Sequence, residues 1–150
     1  MLIFASTPEE KALLRAWAEE RIPHLHGGEL PPCQIAGVVR HGALSAAVAF
    51  YDHVVNPDGA TLHVSVAADG PHWARPGVIT AIYHYAFAQA GAYVLEVGTP
   101  LTNAATCKFM LRIGFKQWGV RPHAYGRKQH QACFTMSADA WRRSKYFREV

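Results

Sequence analysis

Cysteine is scarce: Cys33, Cys107 and Cys133 are the only three in 150 residues. Their odd number, wide spacing and lack of any CxxC pair exclude a disulfide framework and a thiolate zinc site, so a reducing compartment, the cytoplasm, is expected. Long apolar runs are missing as well. Nowhere do about eighteen apolar residues follow one another, and the N-terminal MLIFASTPEEK is too short in its apolar stretch for a signal peptide, so no membrane partner is expected. Charged residues make up only 17% of the chain against 50% hydrophobic residues. That excludes a disordered tail, because burial can offset the entropy of ordering the chain. Repeats, linkers and low-complexity tracts are also absent, and one domain over residues 1–150 is expected.

What charge there is leans positive. Fifteen Lys and Arg against eleven Asp and Glu give a net charge of +4, with the excess late, in Arg121 to Lys128 and Arg142 to Arg148. This suits an anionic ligand and would equally suit nucleic acid, so charge alone does not choose between them; a solvated basic face is the default. Trp141 to Tyr146 mixes aromatic and basic side chains, and a C-terminal helix that packs Trp141 inward accounts for it. His24 and His26 alternate ahead of Cys33, but their spacing fits no standard zinc pattern, and no metal is expected.

Turn chemistry and periodicity divide the chain. Thr7-Pro8-Glu9-Glu10 opens a helix, with Thr as cap, Pro in the first turn and two carboxylates at the positive end. Leu13, Leu14, Trp17 and Ile22 form its apolar stripe, and Pro23 ends it. Residues 35–40 and 44–55 read as a hairpin around His41-Gly42. After the turn Asn56-Pro57-Asp58-Gly59, residues 60–67 alternate with a period of two. Asp69 to Gly77 is a Pro/Gly loop, residues 78–90 a helix closed by Gly91, and residues 93–99 a strand parallel to 60–67 because it follows a strand–helix crossover. A further helix runs from Asn103 to about Ile113 and stops at Gly114. Residues 115–120 and 131–136 are a last strand pair around a basic loop, 121–130.

The run Asn103-Ala-Ala-Thr-Cys-Lys-Phe-Met-Leu-Arg-Ile-Gly114-Phe115, preceded by an alternating strand, resembles the pattern of the GNAT (Gcn5-related) N-acetyltransferases. With Gly119 and Arg121 after it, the chain is especially similar to small GNAT proteins encoded by bacteriophages. The resemblance implies an α/β fold: a mostly antiparallel sheet with a central, splayed parallel pair, flanked by helices. It also implies acetyl-coenzyme A as co-substrate and an amine as acceptor, in a monomer or homodimer. By position, His72-Trp73-Ala74-Arg75-Pro76-Gly77-Val78 replaces the family's glycine-rich pyrophosphate loop, so Trp73, Arg75, Gly77 and Val78 are candidate cofactor contacts. A loop that opens a helix aims free N–H groups at a phosphate, and Arg75 adds a charge-assisted fork. Asn103 joins them, with plain helix capping as its other use.

The resemblance further implies a bulge in the strand holding Val64, Ser65 and Val66, which frees backbone groups for the pantetheine arm, with a Val66 N–H as oxyanion donor. The family's general-acid Tyr falls on Met110, which cannot donate a proton, and no carboxylate occupies Ala60 or Thr61. His63, a residue type that titrates near neutral pH, and Glu96, acting through water, are the candidate catalytic groups. His63 has the opposite parity to Val64 and Val66, so it is expected to need the bulge to aim it. A GNAT-like domain without turnover, serving as a binding or virion-associated module, is the rival expectation.

Overall fold

A computed structural model describes residues 1–22 and 29–149. The strands are β1 (Leu2–Phe4), β2 (Cys33–Arg40), β3 (Ala43–Asn56), β4 (Gly59–Ala68), β5 (Ala92–Pro100), β6 (Lys116–Gly126) and β7 (Gln129–Ser137). The helices are α1 (Pro8–Arg21), α2 (Pro76–Tyr83), α3 (Ala104–Arg112) and α4 (Ala138–Arg142). The strands form one sheet in the order β1-β2-β3-β4-β5-β7-β6. Every neighbouring pair is antiparallel except β4 and β5. The expected mixed architecture, with its single parallel pair, is the one observed.

Local chemistry sets the boundaries. Thr7 caps α1, its side chain accepting from Glu10 N–H at 3.1 Å, while Glu10 Oε2 accepts from Ser6 N–H at 2.9 Å. Ser137 caps α4 in the same way through Ala140 N–H. Several elements depart from the sequence reading. β1 is three residues long, too short to show a period, yet it pairs with β2. The helix expected over 78–90 starts two residues earlier and turns into a π-helical segment, His84–Gln89. The loop expected over 121–130 is largely strand, because β6 and β7 close on the two-residue turn Arg127-Lys128, with Lys128 in the left-handed region.

The two sheet faces are covered differently. On one, α2, α3 and α4 bury the main core: Ile79, Ile82 and Tyr83, Met110, and Trp141 pack on Val48, Phe50, Leu62, Val64, Leu95 and Phe134. Trp141 is buried as expected, stacked against Phe87. On the other face α1 lays Ala18 and Leu14 over Ile35, Ala47, Ala49 and Ala67 of β2 to β4. That second cluster takes nothing from β5, β7 or β6. Past β4, this face of the sheet has no helix over it among the described residues.

Candidate functional site

The parallel pairing is short. β4 and β5 pair from Ala60–Ala92 to His63–Glu96, with Tyr93 as an extra residue in β5, and then part. Asp69 N–H donates to Ser45 O and Ala60 N–H to Gly91 O, so odd residues of β4 turn their backbone groups to β3 and even residues to β5. Past His63 the β5-facing amide of Val66 therefore has no strand partner, although β4 stays paired with β3 through to Ala68. The opening expected from a bulge at 64–66 exists, but its cause is different: β4 is unbulged there, and the gap comes from divergence of β5. The irregularities in β4's own pairings lie elsewhere, in β5 at Tyr93 and in β3 between Tyr51 and Val54.

The β3 bulge explains a cluster that the sequence did not show. Asp52 sits at φ 51°, a left-handed conformation that Asp tolerates better than most side chains. Its Oδ2 lies 3.8 Å from His63 Nδ1, and Glu96 Oε2 lies 3.3 Å from the same nitrogen. Tyr51 stacks on the His63 ring, and its hydroxyl pairs with Ser65 Oγ at 2.8 Å. Burial pushes the Tyr51 phenol up, which the Ser65 hydrogen bond only partly offsets, so it stays protonated at neutral pH. His63 needs no re-aiming: as the register partner of Glu96 it already shares Glu96's face, the one that α1 covers over β2 to β4 and leaves open beyond. Tyr-Asp-His at 51–53 interrupts the apolar run 46–55, a sign of a polar cluster but not of the bulge that turns Asp52 toward His63.

A cavity of about 400 Å³ opens here, lined by His63, Glu96, Gly98, Trp118, Arg121 and Gln131 among others. A Cβ on Gly98 would land on the Gln131 carboxamide, so glycine is what lets that side chain lie across the floor. Gln131 Nε2 donates to Tyr125 Oη at 2.8 Å, and burial pushes the Tyr125 phenol up as well.

Of the other predicted residues, Trp73, Arg75, Gly77 and Val78 gather at the far end of β4. Arg75 is the N-cap of α2, with no side-chain capping bond, and Gly77 has open space where a Cβ would stand. Trp73 meets Phe109 of α3 edge-on at 5.9 Å. A cavity of about 210 Å³ brings Trp73, Arg75 and Val78 together with Arg40, His41 and His72. Arg40, unnoticed in the sequence, has a buried Nε without a hydrogen-bond partner. Asn103 is not among these lining residues; its Oδ1 accepts from Thr106 N–H at 3.1 Å, the capping role. Val64 turns its side chain into the core and Met110 is buried there too. Tyr83 and Tyr85 are packing residues, as expected: Tyr83 Oη donates to Ile113 O at 2.8 Å, and Tyr85 packs on Phe4 and Phe50. His24 and His26 lie outside the described residues. Among the described residues no group of three His, Cys, Asp or Glu is arranged to hold a metal, and no helix is long and apolar enough to cross a membrane.

No family model and no curated protein matches the sequence. The fold does match solved structures. A spermidine N-acetyltransferase variant from Vibrio cholerae is similar over 98% of this chain and 95% of its own, with TM-score 0.68 and 12% identity. The ribosomal-protein-S5-alanine acetyltransferase from Vibrio fischeri is similar over 89% and 73%, with TM-score 0.64 and 16% identity. A Salmonella typhimurium chain solved with its cofactor acetyl-CoA is similar over 91% and 92%, with TM-score 0.63 and 14% identity. The structural neighbours are thus GNAT acetyltransferases, and the fold is theirs.

Proposed function

We propose that this chain is a GNAT-type N-acyltransferase that moves an acetyl group from acetyl-coenzyme A to an amine. The observation that carries the reading is the end of β4–β5 pairing at His63–Glu96. One point in the fold has both an unpaired amide, Val66 N–H, and a histidine flanked by two carboxylates. When bound, acetyl-coenzyme A supplies an activated acetyl group and a thiolate leaving group. The residues fit its phosphates: Arg75 at the uncapped start of α2, and the orphaned Arg40 Nε beside it, are donors awaiting an anion. Val66 N–H is the oxyanion donor. His63 takes the amine proton, and Glu96 and Asp52 hold the ring and stabilise its charged form. Cytoplasmic, single-domain operation is part of the same reading.

The test is thermal denaturation with acetyl-coenzyme A. At about a hundredfold excess over Kd, a ligand specific to the native state adds about 2.7 kcal/mol and raises the melting temperature. No rise at saturating concentration overturns the reading. Thiol release with a panel of amines then follows, and His63→Ala is expected to lower it by about 10²-fold while the thermal shift by acetyl-coenzyme A persists. A shift without thiol release for any amine selects the non-catalytic binding module, the reading favoured by buried Met110 at the family's tyrosine position.

A further inference from the structure

The cavity on the open sheet face has two poles. Glu96 lies at one end, with Asp52 a further carboxylate on the same histidine. Arg121 lines the other. None of the carboxylate–cation contacts among the described residues involves Arg121, so its charge is uncompensated. Strand geometry holds the poles apart: Glu96 pairs with Thr135 and Arg121 with Gln131, four residues further along β7 and one strand further out. Four residues correspond to roughly 13 Å of strand. Beyond Arg121, β6 leaves the ladder until Gly126. The residues of that excursion include Pro122, which lines the cavity, and Tyr125, whose hydroxyl is tied to Gln131. Between the poles the floor is flat and without charge, Gly98 under the Gln131 carboxamide and Cys133 beside it, with the largely exposed Trp118 indole as a wall.

Resting on the acyl-transfer reading above, we infer that the acceptor is a small ω-amino acid: a primary amine joined through a short apolar chain to a carboxylate. The ammonium end is drawn to Glu96 and Asp52 and gives its proton to His63. The carboxylate end pairs with Arg121, and the methylenes cross Gly98 against Trp118. The ammonium's first proton passes through His63 to solvent. The neutral nitrogen then forms a bond to the acetyl carbon as the carbon–sulfur bond breaks, and His63 takes the second proton from nitrogen. The thiolate leaves as free thiol after taking up a proton, so that one proton is released overall. A diamine would set a second cation against Arg121, and a plain alkylamine leaves the guanidinium unpaired, so the cavity discriminates against both.

The experiment compares thiol release from acetyl-coenzyme A with 4-aminobutanoate, 6-aminohexanoate, pentylamine and 1,5-diaminopentane. At least one ω-amino acid is expected to exceed pentylamine by about tenfold or more in kcat/KM, the worth of a charge-assisted pair. In Arg121→Gln, the ratio of kcat/KM for that acid to kcat/KM for pentylamine is expected to fall by a similar factor. Equal or better use of pentylamine or the diamine by the unaltered protein overturns the acceptor class while leaving acyl transfer standing, and so does an unchanged ratio in Arg121→Gln. Calorimetric titration of 6-aminohexanoate without coenzyme A provides a second readout. If acetyl-coenzyme A raises the melting temperature but neither acid binds or reacts, the acceptor inference fails and the cofactor reading does not. If acetyl-coenzyme A gives no shift, the acyl-transfer reading fails; binding of 6-aminohexanoate that Arg121→Gln weakens then still supports the two-pole cavity, and its absence overturns that as well.

Discussion

Tyr83 holds the end of α3 to the core: its hydroxyl donates to Ile113 O from a site that is only 1% exposed. Burial pushes its phenol far above the ordinary tyrosine value. Tyr83→Phe leaves the buried carbonyl unsatisfied and is expected to cost about 1–3 kcal/mol in urea unfolding at pH 8. The sign of the pH dependence follows from the raised folded pKa. The contribution is complete below the unfolded phenol's value of about 10. Above it the unfolded chain loses a proton that the folded chain keeps, so stability is lost as pH rises toward the folded value. The gap between Tyr83→Phe and the parent is therefore expected to narrow between pH 8 and pH 10.5, and a constant gap would contradict this role. At this scale the sequence was an uneven guide. Tyr83 reads as a packing residue and is one. His63 and Glu96 read as chemically suited and prove to be neighbours, whereas Asp52 was hidden because its part depends on a bulge that no local periodicity announces.

Among the elements, the junction from α3 to β6 shows what a recognisable motif means physically. Gly114 has φ 108°, a conformation closed to residues with a side chain, and a Cβ there would meet Met136 Cε at 3.1 Å. The turn lets Phe115 N–H donate to Met110 O at 3.0 Å and sends the Phe115 ring edge-on toward Tyr83. The Gly-Phe pair was thus legible because backbone sterics leave one residue type for the turn. Gly114→Ala is expected to lower the stability by about 1–3 kcal/mol, read as a drop in melting temperature, with the acetyl-coenzyme A shift retained in the folded fraction. Elements without such a constraint were misread. β1 has too few residues to show a period, and β6 continues through a Pro-containing basic stretch that resembles a loop because the excursion at 122–125 breaks its alternation. The π-helical segment after α2 keeps a helical pattern of apolar residues, so its wider turn is invisible in the sequence.

For the whole molecule, the run of three antiparallel strands β2 to β4 followed from hairpin turns and the parallel position of β5 from the strand–helix crossover, whereas the edge place of β1 and the insertion of β7 between β5 and β6 did not. Nor did the divergence of β5 from β4, since it depends on how sheet twist is shared among seven strands. The distribution of charge was legible only as a sum. A net charge of +4 does not tell that Arg40, far from Arg75 in sequence, is folded beside it with a buried, unpartnered Nε. The two arginines give one end of β4 a concentrated positive field, while Arg142 is already paired with Asp139 at 2.9 Å. If that field receives the phosphates of acetyl-coenzyme A, affinity has a salt-sensitive part carried by Arg40 and Arg75, since added ions screen attraction between exposed charges. Calorimetric titration at low and high salt is expected to show the parent weakening as salt rises. Arg75→Ala and Arg40→Ala should each bind about tenfold more weakly at low salt and depend less on salt, whereas Arg142→Ala should follow the parent. Parallel salt dependences for the parent and Arg75→Ala would mean that the phosphates are held by backbone amides alone.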